Sequence, residues 1–174
     1  MGTRLLCSAI ALTAGLCMTP ALAQSASGSA TKVLASSGSG FNVSSVEALI
    51  QRGDAAVASG NLVQAKKDYD NARTASKQLL AFYRDLSGSF RGLDARIPRE
   101  MDTKGRAALA LLAQSNLRLA ALFRRQGQPA VAVPVLVEVV RLMTPAKPEG
   151  QKAYQSLLEL GFVDTPYRGA SAGE

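Results

Sequence analysis

The sequence contains no histidine and no tryptophan, only two cysteines in 174 residues, and aromatic side chains at 5% of positions. Without histidine there is no Ser-His-Asp or Cys-His catalytic unit, no imidazole metal ligand, and no side chain whose ordinary pKa lies near neutrality. A glycine-rich phosphate loop is missing as well. What remains for chemistry is carboxylates, lysines, tyrosines and hydroxyls, which points to binding rather than catalysis. No enzymatic activity, cofactor or metal is expected. What is present is a 47% hydrophobic chain, enough for one core, and an excess of Lys and Arg over Asp and Glu of 20 to 13, a formal charge of +7.

The cysteines lose their chemical interest once the N-terminus is read. Arg4 precedes an apolar run from Leu5 to Met18, which is too short for a comfortable membrane span, and Ala21-Leu22-Ala23 follows Pro20. A positive start, a short apolar stretch and an A-x-A site predict a secretory signal peptide over 1–23. Cys7 and Cys17 both fall within it, so the exported chain would hold no disulfide and must be stabilised by its core alone. Ala14-Gly15-Leu16 before Cys17 lacks the Leu-x-Gly/Ala pattern of a lipid-attachment site, so no lipid anchor is expected. The expected location is an exported compartment: first a periplasm, with a thylakoid lumen or the cell exterior as alternatives. Nucleic acid is a poor partner there, despite the basic charge.

Beyond the signal peptide, Ser, Gly or Ala occupies 12 of the 17 positions from 24 to 40. Such a leader buries too little apolar surface to offset its ordering entropy and is expected to be disordered. The folded domain should span 41–163, with 164–174 as a flexible tail. Ser44-x-x-Glu47 reads as a capping box for a helix over 45–59 that stops at Gly60. Asn61-x-x-Gln64 repeats that signal. Leu62, Ala65, Tyr69, Ala72, Ser76, Leu79, Phe82, Tyr83, Leu86 and Phe90 then follow at helical spacing, predicting a long helix over 62–91. A second long helix should run from 98 or 102 to 126, with Ala108, Leu109, Leu112, Leu119, Leu122 and Phe123 on its apolar face. The segment after Pro129 is rich in valine and contains Pro134, so local propensity alone favours a strand.

A period reverses that reading. Gly127 and Gly161 are 34 residues apart, while Gly60 and Gly127 are 67 apart, one short of twice that spacing. Gly53, Gly60, Ala65, Tyr69 and Ala72 form one set of small and large residues; Leu119, Ala120, Phe123, Gly127, Ala132 and Leu136 form another, and Gly161 opens a third. Small residues let paired antiparallel helices approach, a large one fills the gap, and glycine makes the turn. This pattern resembles the tetratricopeptide-repeat family, whose period is 34 residues. Val139, Arg52 and Tyr154 depart from its preferences, and 78–112 carries no clean motif. The resemblance implies an all-α fold of antiparallel hairpins, a right-handed superhelix of about five helices with two long central ones. Residues 129–143 then become a helix kinked or frayed near Pro134, and the segment around Leu157 a terminal capping helix.

The resemblance also implies a concave groove for a protein or peptide, and hence a scaffold or adaptor. Its groove-facing positions would be Gln114, Leu117, Ala121, Arg124 and Arg125, then Gln151, Gln155 and Glu159. Arginines and amides there can hold an acidic or extended peptide, although Arg124 and Arg125 are also where a helix C-terminus favours cations. The family's carboxylate clamp is not matched, since Leu117 and Ala121 stand at its positions. A different reading is a peripheral, membrane-associated helical bundle with a structural or assembly role. Between 84 and 106 lie six basic residues against Asp85, Asp94, Glu100 and Asp102, a small excess for an anionic membrane surface. Asp94, Glu100 and Asp102, clustered around the central turn, are the only foothold for acid–base chemistry, and the surrounding arginines and lysine read as salt-bridge partners.

Overall fold

The computed structural model describes residues 40–169. The expected signal peptide, the leader up to residue 39, and residues 170–174 lie outside the described residues. Five helices and no strand occur among the described residues: α1 (Val43–Ala58), α2 (Leu62–Ser89), α3 (Arg96–Arg125), α4 (Pro129–Met143) and α5 (Pro148–Glu159). The fold is therefore all-α, with two long central helices. Each helix packs on its neighbours in sequence, and α3 in addition touches both α1 and α5.

The cap of α1 differs from the expected one. Asn42, not Ser44, is the N-cap: its Oδ1 accepts from the Ser45 N–H at 2.7 Å, and Ser44 Oγ donates to the same oxygen at 2.6 Å. Both are good capping types, and Asn42 wins because its extended backbone aims the carbonyl at the first turn. Asn61 does cap α2, accepting from the Gln64 N–H at 3.0 Å. The Gln64 side chain turns forward instead of back, donating to Asp68 Oδ2 at 2.9 Å.

Three helices end in one way. After α1, α3 and α5 a glycine with positive φ (Gly60 +80°, Gly127 +69°, Gly161 +72°) donates its N–H three residues back, and the next residue donates five back. The longer bonds are Asn61 to Ala56 at 2.8 Å, Gln128 to Phe123 at 2.9 Å and Phe162 to Leu157 at 3.0 Å. This paired arrangement is the Schellman motif, and a left-handed glycine makes it without strain. The glycine period is thus a period of identical turns.

The spacing argument was right about 129–143, which form a helix despite the valines. Pro134 removes one bond to the Ala130 carbonyl, but both residues are exposed, so water can take that carbonyl. Meanwhile Ala132, Leu136 and Val139 are fully or almost fully buried on one face. The apolar positions of the repeat all lie inside: Ala65, Tyr69, Leu119, Ala120, Phe123, Ala132 and Leu136 share one cluster with Ala153 and Leu157. Ala72 belongs to a second cluster with Val46, Ile50, Leu79, Tyr83, Met101 and Leu112. Phe82 is the exception on the α2 stripe. It is 45% exposed and stacks edge-on with Phe41 at 5.7 Å, because α1 begins at that level and covers no more of α2.

Candidate functional site

Helix α3 adjoins both α1 and α5, while α2 and α4 are bridged only by side chains. Glu138 of α4 receives both Arg73 and Lys77 of α2, the latter at 2.8 Å. Across the junction of α1 and α3 lies a three-helix network. Tyr69 Oη donates to Asp54 Oδ1 at 2.6 Å, and Arg118 Nε donates to Asp54 Oδ1 and Oδ2 at 2.7 and 3.0 Å. Tyr69 reaches across because Gly53 has no side chain: a Cβ there would stand 2.6 Å from Tyr69 Cδ1. A second link joins α1 to α2, where exposed Arg52 donates to the buried Asp68 at 2.9 Å.

Next to Arg118 a cavity of about 410 Å³ opens between α3 and α5. Gln114, Leu117, Arg118 and Ala121 form one wall; Pro148, Glu149 and Lys152 form the other. Ala121 continues with Arg124 and Arg125 into a shallower recess. Lys152 is also part of a larger space, about 580 Å³, bounded by Gln151, Tyr154 and Gln155 of α5 and by Tyr167 and Arg168 of the following segment. That segment is tied down where Tyr154 Oη donates to the Thr165 carbonyl at 2.7 Å.

The groove residues named from sequence thus fall into three spaces rather than one. Gln114 lines the cavity between α3 and α5, Arg124 and Arg125 line the shallower recess beyond Ala121, and Gln151 and Gln155 line the space near the C-terminal segment, with Lys152 shared by the first and the last. Arg124 forms an ion pair with Glu159 at 3.0 Å, so it fastens α3 to α5. Sequence reasoning missed Asp54, Arg118 and Lys152. Asp54 and Arg118 are 64 residues apart and no local pattern joins them. The turn carboxylates are each engaged: Asp94 with Arg96 at 2.8 Å, Glu100 with Lys104 at 2.5 Å, and Asp102 accepting from Ser87 Oγ at 2.8 Å.

These bonds set the charge states. Burial pushes the Asp54 carboxyl up, but the hydrogen bonds from Arg118 and Tyr69 outweigh it and hold the group below its ordinary 3.8. Asp68 is likewise lowered, burial being overcome by Gln64 and Arg52, and Glu138 falls below 4.5 through Lys77 and Arg73 against the same opposing burial. Burial and the Asp54 carboxylate together raise the Tyr69 phenol, which stays protonated as the donor. For carboxyls lowered on folding, the unfolded chain binds more protons at acid pH, so stability is present above the unfolded values and lost as pH falls through the folded ones. The midpoint of thermal unfolding should therefore be level above about pH 5.5 and decline below it, by about 4 °C for each kcal/mol lost. A midpoint that rises between pH 6 and 4 would contradict this assignment. No family model, curated protein or solved structure matches this chain.

Proposed function

We propose that the chain is an exported tetratricopeptide-like interaction module, a scaffold or adaptor that binds a protein or extended peptide in the groove between α3 and α5. The observation that carries this reading is the recurrence of one glycine turn at 60, 127 and 161, with the middle one of the helices that precede those turns, α3, touching the other two. Stacked hairpins of this kind present such a face as a groove. Here the groove combines apolar Leu117 and Ala121 with Lys152 and Arg125, two cations that form no ion pair among the described residues. Arg118, oriented by Asp54 and Tyr69, adds a fixed donor. An extended segment with acidic side chains would gain charge-assisted hydrogen bonds from the cations and apolar contact from the floor.

The reading assigns no catalytic role and no cofactor. Export is tested by the first residue of the mature protein, expected near Gln24. Groove binding is tested by a photo-crosslinking residue at position 121, compared with one at position 137 on the exposed side of α4, in the compartment where the protein resides. Position 121 should give a discrete adduct that position 137 does not, and a Leu117→Asp/Lys152→Glu pair should reduce it at least tenfold. Equal adducts from both positions, or none from position 121, would refute groove binding.

A further inference from the structure

The α2–α3 hairpin is longer than the helices that flank it, and its far half bears a cationic face. On α2, Arg73, Lys77, Leu80 and Arg84 recur at steps of three and four residues, which places them on one side of the helix, and Arg91 follows in the turn two residues past its last residue, Ser89. The first two meet Glu138, so this side faces α4. Beyond them Arg84 and Arg91 are exposed and form no ion pair among the described residues. On α3, Arg99 and Arg106 are seven residues apart, on one side of that helix. Arg84 and Arg106 line the same cavity, so the two rows share one face.

That cavity is about 230 Å³ and lies between the rows. Its floor is apolar, with Leu80, Tyr83, Met101 and Leu109. Two residues past Arg91, Leu93 is 79% exposed at the tip. The acidic residues nearby do not cancel the arginines. Asp94 and Glu100 are neutralised by Arg96 and Lys104, and Asp85 lies about 100° around α2 from Arg84. Asp102 is the one carboxylate lining the cavity, and it accepts from Ser87. Arg84, Arg99 and Arg106 against one carboxylate therefore define the face, with Arg91 in the turn next to it.

We infer that this face docks on an anionic lipid surface, with the arginines at the headgroups and Leu93 meeting hydrocarbon. An acidic protein would answer the charge alone, whereas a bilayer answers both the charge and the exposed Leu93 beside it. No described helix is long and apolar enough to cross a membrane, so the contact would be superficial. The test is co-sedimentation of the full chain with vesicles of phosphatidylglycerol and phosphatidylcholine at 3:7, against phosphatidylcholine alone. The apolar run Leu5–Met18 is common to every variant, so the comparison is between vesicle charges and between variants.

Binding should be at least tenfold stronger on the anionic vesicles. Arg84→Glu/Arg91→Glu and, separately, Arg99→Glu/Arg106→Glu should each remove that difference. Lys66→Glu/Lys67→Glu, an equal charge change at the other end of the hairpin, should leave it within twofold. Circular dichroism on each variant verifies that the helices are intact, and the two independent pairs guard against one misfolding. Equal loss in all three variants, equal binding to neutral vesicles, or binding to polyglutamate but not to vesicles would overturn the inference.

Discussion

Replacing Leu119 with alanine should destabilise the domain by about 2–5 kcal/mol, while Asn116→Ala, one turn earlier on α3, should change stability by less than about 1 kcal/mol. The two positions are equally enclosed: Leu119 is 1% exposed and Asn116 fully buried. Leu119 lies in the cluster shared with Phe123, Leu136 and Val139, so its loss removes transfer free energy and leaves a void. Asn116 differs in kind. Neither Oδ1 nor Nδ2 has a hydrogen-bond partner among the described residues, so truncation removes a desolvated amide whose unmet bonds offset the packing it supplies. Urea unfolding of both variants measures the contrast. A cost for Asn116→Ala equal to that for Leu119→Ala would show that the amide is bonded in the folded protein.

Gly150→Ala should cost about 2 kcal/mol, against the usual gain of about 1 kcal/mol for replacing a helical glycine. Gly150 sits in the first turn of α5, directly under the α4–α5 turn. A Cβ there would overlap the Thr144 carbonyl oxygen and stand 2.6 Å from its carbonyl carbon. Those atoms are backbone, and the oxygen also accepts from the Lys147 N–H at 3.2 Å, so the obstacle cannot rotate aside. Thr144 is itself strained, at φ 55° and ψ 157°, a region populated almost only by glycine. Thr144→Gly should accordingly stabilise the protein, by up to about 1 kcal/mol after the entropy of the added glycine is deducted. A stabilising Gly150→Ala, or a destabilising Thr144→Gly, would mean that the turn is looser than described.

The helices were legible because their signals are local and repeated. Asn61, the apolar stripes of α2 and α3, and the glycines at 60, 127 and 161 all act within a few residues of themselves. For 129–143 the local signal was wrong and the period was right: burial of Ala132, Leu136 and Val139 on one face outweighs the strand preference of valine. The candidate site was legible only in part. Gln114 and Arg125 could be placed because helical spacing fixes which side of α3 they occupy. Arg124 looked equally available, and its capture by Glu159 depends on how α5 docks. Asp54, Tyr69 and Arg118 come from three helices, and Tyr69 spans the gap only because Gly53 is bare. Contacts that depend on the approach of distant elements leave no spacing in the chain.

The contact of α3 with all four other helices has a consequence for folding. Solenoid-like proteins in which each unit touches only its neighbours fray from the ends, unit by unit. Here a 30-residue helix, about 45 Å long, runs through both apolar clusters, so losing it leaves only the contacts of α1 with α2 and of α4 with α5 and the Glu138 bridge between α4 and α2. The short turns keep contacts local and favour rapid collapse, while the shared helix couples the pieces into one transition. Amide exchange should therefore be slowest along the middle of α3, and nearly uniform there.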